Sequence, residues 1–114
     1  MATLSTRRFV LSKAKPVFAE WYVSIDLTNW LNGEQISTVV FSAVRKDTGA
    51  DATAAVLTAA NCAYTSTVVK PFIKGGTDGV TYVAKMQVTS NASPASKDEF
   101  YLQFTIDDNI QDVS

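Results

Sequence analysis

A chain of 114 residues, 46% hydrophobic and 18% charged, has room for one domain with a single core and is too apolar for wholesale disorder. Its formal net charge of -1 and pI near 5.2 give no electrostatic reason to expect nucleic-acid binding. The lone cysteine, Cys62, excludes an intramolecular disulfide, the lack of histidine removes the commonest general base and metal ligand, and no apolar run approaches the length of a membrane span.

Residues 1–15 read as an arm or a short edge strand, with Phe9 and Leu11 as its strong anchors. Its start has neither an apolar core nor a small-residue cleavage site, so no signal peptide is expected and the chain reads as made in the cytosol. Arg7, Arg8, Lys13 and Lys15 stand here without an acid among them, while Asp107, Asp108 and Asp112 gather at the other end. Two readings are open: two solvated tails, or a basic arm, Arg7, Arg8, Phe9, Leu11, Lys13 and Lys15, that docks on an acidic partner surface. Lys15-Pro16 then begins a turn or an extended segment, because the residue before proline avoids the helical region.

Residues 20–26 alternate Trp21, Val23 and Ile25 against Tyr22, Ser24 and Asp26, which predicts a strand. Residues 28–31 form a turn or one helical coil, ending at Asn32-Gly33, a pair that tolerates positive φ. Residues 35–45 predict a long strand whose pattern slips: Ile36 shares a face with Val40 and Val44, whereas Val39, Phe41 and Ala43 lie on the other. A β-bulge near Thr38, or burial on both faces, reconciles the two sets. Residues 46–51 read as a loop, and the alanine-rich residues 52–60 as one helical turn or a loosely patterned strand. Residues 64–73 predict a strand, with Pro71 implying an edge or a bulge.

The clearest signal lies in residues 79–89 and 99–107. Val80, Tyr82, Ala84, Met86 and Val88 alternate with Thr81, Lys85, Gln87 and Thr89 in the first, as do Phe100, Leu102, Phe104 and Ile106 with Tyr101, Gln103, Thr105 and Asp107 in the second. Side chains on a strand alternate between faces, so each segment has one apolar and one wetter face, with residues 90–97 as the connecting loop. The fold class predicted is all-β: an immunoglobulin-like antiparallel β-sandwich of six to eight strands. Tyr82 sits where a tyrosine corner would return its hydroxyl to backbone just upstream; a plain core aromatic is the other reading.

No phosphate loop, nucleophile elbow, zinc spacing or dinucleotide fingerprint is present, so no catalytic, cofactor or metal residue is assigned. Cys62 has no histidine to activate it and reads as structural. The pairs Asp98-Glu99 and Asp107-Asp108 cannot face one substrate together, since neighbours on a strand point to opposite faces. Asp47, Asp51 and Asp78 match no EF-hand spacing and read as turn acids. Trp21, Tyr22 and Trp30 lack the interleaved basic residues of a binding platform and read as core aromatics.

One string is more specific. Asp26-Leu27-Thr28-Asn29-Trp30-Leu31, followed by Gly33-Glu34-Gln35-Ile36-Ser37, resembles small bacteriophage virion proteins described as fibre-tail or tail adaptors. Lys15-Pro16 is similar to that family's opening Lys-x-Pro element, without the acids expected after the proline. Gly75-Gly76, Gly79, Tyr82, Val88-Thr89 and Asp98-Glu99 resemble its closing pattern, so the likeness spans residues 9–107. It implies an immunoglobulin-like sandwich in a phage particle, present in many copies and with no catalytic residues to transfer; no cofactor, nucleic-acid or membrane partner is expected from the residues themselves. Such a protein would join tail, portal, connector or fibre subunits by protein–protein contacts. Capsid cement with the same fold, a carbohydrate-binding module and a small hydrolase are the rivals. The expected organisation is an arm or edge strand at 1–15, a sandwich at 16–109 and a tail at 110–114.

Overall fold

The structure, a computed structural model, describes residues 8–11 and 13–108. The alternating pair of the sequence becomes its centre: β8 (Thr81–Ser90) and β9 (Lys97–Thr105) run antiparallel, with Ala84 opposite Leu102 and Met86 opposite Phe100. On the far side of β8 lies β4 (Ile36–Arg45), also antiparallel, and on the far side of β9 lies β1 (Arg8–Val10), which runs parallel to it. Against this four-stranded sheet stand two smaller ones. One pairs β2 (Trp21–Tyr22) with β7 (Phe72–Ile73); the other has the order β3 (Ile25–Asp26), β6 (Val68–Lys70), β5 (Ala63–Tyr64). Two single helical turns, α1 (Thr28–Leu31) and α2 (Thr53–Val56), link the layers.

The predicted faces are the observed ones. Tyr82, Ala84, Met86, Phe100, Leu102, Phe104 and Ile106 are each at most 3% exposed, whereas Tyr101, Gln103 and Thr105 on the opposite face are half-buried. A one-residue slip would turn the whole apolar set to water, which holds the register. Trp30 closes the core from α1, 4% exposed, its ring edge-on to Phe100 with centroids 5.4 Å apart. The phase slip in β4 is a bulge: the register with β8 shifts between Ile36 and Thr38. Asn32 (φ 49°) and Gly33 (φ 91°) end α1 in the left-handed region, as their pairing in the sequence requires.

Two differences from the predicted elements share one cause. Residues 20–26 and 64–73 are not single strands; each divides between the two small sheets, so the described residues form nine strands where six to eight were expected. Pro71 cannot donate to a ladder, and it separates β6 from β7. Its carbonyl accepts the Val23 N–H at 3.0 Å, between β2 and β3, so both segments break at the same place. The sheet is also not wholly antiparallel, because β1 enters beside β9 in parallel. Residues 52–60 contain α2, where Asp51 Oδ1 accepts the Thr53 N–H at 3.1 Å and Val56 and Leu57 are buried.

Tyr82 does return to the backbone upstream: its hydroxyl oxygen accepts the Thr77 N–H at 2.9 Å. The turn that leads into Thr77 needs glycine at Gly76, whose φ is 96° and where a Cβ would fall 2.6 Å from Ile106 Cγ1.

Candidate interaction surfaces

The structure divides the basic group of the N-terminal segment. Arg8 on β1 and Lys13 beyond it are exposed, and Arg7 lies outside the described residues. Phe9 and Leu11 are half-buried against the core, Phe9 in register with Leu102. Lys15 departs from its place in the sequence reading, because its side chain is 0% exposed and offers nothing to a partner. Its ammonium donates to the carbonyls of Pro16 (2.7 Å), Gly75 (3.0 Å) and Val17 (3.3 Å), matching three N–H donors to three acceptors. Burial lowers the Lys15 pKa from its ordinary value, while the charges of Glu20 and Asp108 pull it back up. One residue from each charged end of the sequence thus comes together, the buried Lys15 and the exposed Asp108 whose charge acts on it. Asp108 Oδ1 also accepts the Val17 N–H at 2.9 Å, and Asp78 Oδ1 accepts the Asp108 N–H at 2.9 Å.

These bonds fix the loop that follows Lys15. Ala19 N–H adds a turn bond to Pro16 O at 3.2 Å. At the tip stands Phe18, 95% exposed. Beside it is an open hollow of about 870 Å³ walled by Val17, Phe18, Trp21 and Ala55, with Glu20 and Lys74 also lining it. Sequence reasoning missed this feature. Its only signal was a phenylalanine outside any alternating pattern, next to Lys15-Pro16.

A second surface is the outer face of the large sheet. Glu99 accepts from Gln87 Nε2 at 2.7 Å and from the Tyr101 hydroxyl at 2.8 Å. These bonds hold its carboxyl below the usual range, with the Lys85 charge adding to the effect. Val40, 58% exposed, flanks the same face across a hollow of about 690 Å³. The outer edge of β4 is covered at its C-terminal end, where Ala52 N–H donates to Ala43 O at 2.8 Å and Thr53 Oγ1 accepts the Ala43 N–H at 3.0 Å.

The residues considered for chemistry are dispersed. Asp47 pairs with Arg45 at 3.0 Å and Asp51 serves Thr53, while Asp78 binds the Asp108 backbone. Among the described residues no three His, Cys, Asp or Glu side chains form a metal-binding group. Cys62 is half-buried, its Sγ accepts the Phe72 N–H at 3.4 Å, and burial raises its thiol pKa, the reverse of what a nucleophile needs. Trp21 and Tyr22 sit on opposite faces of β2, with Tyr22 edge-on to Phe72 at 4.8 Å, while Trp30 is in the core.

The structure is a small all-β sandwich with a pinned apolar tip, an open hollow and a polar sheet face. The chain belongs to the family of the podophage GP4 fiber-tail adaptor protein gp77, whose sequence pattern matches residues 15–103. Neither a curated protein nor a solved structure matches it. The matched span begins at the buried Lys15 and includes the Asp26–Leu31 string, the Gly75-Gly76 turn and most of β9. By this membership the chain is a structural component of a phage particle, of the fibre-tail adaptor kind.

Proposed function

We propose that this chain joins fibre to tail in a podophage virion through protein–protein contacts alone, in several copies, after synthesis in the host cytoplasm. The family match over residues 15–103 carries this reading. The sandwich is read as immunoglobulin-like, for which the Tyr82 to Thr77 corner is the supporting contact. Residues 1–15 act as the arm or edge strand, 16–109 as the sandwich and 110–114 as a tail. Within the arm, Arg8 and Lys13 are the exposed cations available to an acidic partner surface.

Complementation of a phage lacking this gene tests the reading. Wild-type chain should restore fibre attachment. Arg8→Glu with Lys13→Glu should fold normally and enter particles poorly, with the wild-type contact weakening as salt rises. Full incorporation of that variant would sink the arm. Recovery of the chain on capsid faces rather than at the tail would favour the decoration reading instead.

A further inference from the structure

We propose that a second copy of this chain docks at Phe18 about a two-fold axis, each Phe18 ring entering the hollow beside the other copy's Trp21. This deepens the multi-copy part of the proposed function, and it concerns the purified chain only, so its failure leaves the contacts with fibre and tail untouched.

The first observation is an exposed ring carried on a hydrogen-bonded backbone. A phenylalanine 95% exposed leaves nearly its whole ring in water. The backbone presenting it is tied down on both sides: Lys15 Nζ holds the Pro16 and Val17 carbonyls, Asp108 holds the Val17 N–H, and Ala19 N–H closes the turn on Pro16. Ordering costs that a floppy tip would meet on binding are already met here.

The second observation is that the complement of this tip lies on the same surface. The adjoining hollow of about 870 Å³ has Val17, Trp21 and Ala55 as apolar wall, with space for a phenyl ring. Glu20 and Lys74 line it as one acid and one base, and among the described residues they form no ion pair with each other. A two-fold axis sets Glu20 of each copy toward Lys74 of the other, twice over. A foreign partner would have to bring its own socket, acid and base, whereas a second copy has all three. Because Phe18 is itself a wall of the hollow, filling one socket brings the second Phe18 to the first copy's socket. That is an isologous contact rather than a head-to-tail one.

The magnitude sets the conditions of the test. Two phenylalanine rings bury roughly 300–500 Å², well short of the roughly 1,600 Å² of a stable specific complex. The dimer should therefore be weak in dilute solution and fill when copies are concentrated, as they would be in a particle. Sedimentation of the purified full chain up to about 1 mM should show a reversible monomer–dimer equilibrium with a dissociation constant in the micromolar to millimolar range. Phe18→Ser, checked for unchanged melting, should raise that constant about tenfold or more. Glu20→Lys and Lys74→Glu should each weaken the dimer, and the double variant should recover it. A chain monomeric at about 1 mM overturns the proposal. So does a Phe18→Ser variant that dimerises as well as wild type, or a double charge swap no stronger than either single one.

Discussion

Replacing Lys15 with methionine keeps the length of the side chain and removes the ammonium. The carbonyls of Pro16, Val17 and Gly75 then lose their donor together. Pro16 O keeps the Ala19 N–H, so at about 1 kcal/mol for each of the two acceptors left unpaired, the low end of the usual range, the loss is about 2 kcal/mol. Removing a buried charge offsets part of this, because the desolvation that lowers the Lys15 pKa is a cost the fold no longer bears. The net destabilisation should be about 1 kcal/mol, or roughly 4 °C in melting temperature for a domain of this size. Differential scanning calorimetry measures it directly. Hydrogen exchange supplies a second readout: the Val17 and Ala19 amides should lose protection in Lys15→Met while the β8–β9 ladder keeps its own. A melting temperature within about 2 °C of wild type, with unchanged loop protection, would refute the claim that the ammonium pins this loop.

Other perturbations follow from the same contacts. Trp30→Ala empties the site against Phe100 and should cost about 3–5 kcal/mol, read by denaturant unfolding; an unchanged midpoint would place Trp30 outside the core. Tyr82→Phe removes the acceptor for the Thr77 N–H and should cost about 1 kcal/mol by the same assay, with loss of protection at Thr77. Asp26, Asp47, Asp51 and Glu99 have folded pKa values held below their ordinary values, each chiefly by a side-chain hydrogen bond. Their stabilisation is fully present above the unfolded values, roughly pH 4–4.5, and is lost as pH falls through the lower folded ones, so melting temperature should decline there and not rise. Lys15 titrates with the opposite consequence. Its folded pKa lies below the ordinary 10.5, so the stability of wild type relative to Lys15→Met should grow as pH climbs through the folded value toward 10.5; a falling difference would reverse the assignment.

The legible parts of this fold are those where the physical signal is local. Alternation in β8 and β9 needs no partner to be read, and the phase change from Ile36 to Val39 points to a bulge in β4 or to burial on both faces, of which the structure has the bulge. The division of residues 20–26 was hidden because Trp21, Val23 and Ile25 keep alternating across the break. The break lies opposite Pro71, which has no N–H to donate and belongs to another segment. β1 was ambiguous for a similar reason: its partner β9 lies at the far end of the chain. Lys15 read as a surface cation because most lysines are. What receives its buried ammonium includes the Gly75 carbonyl, 60 residues away. Phe18 and its hollow carried no periodic signal, since a side chain displayed by a loop is set by the bonds beneath it.

Electron microscopy of particles assembled with and without this chain tests the adaptor account most directly. The account predicts that particles lacking it keep their tails and lose their fibres, and that adding the purified chain back restores fibre density at the tail. Fibres still attached in its absence would contradict it.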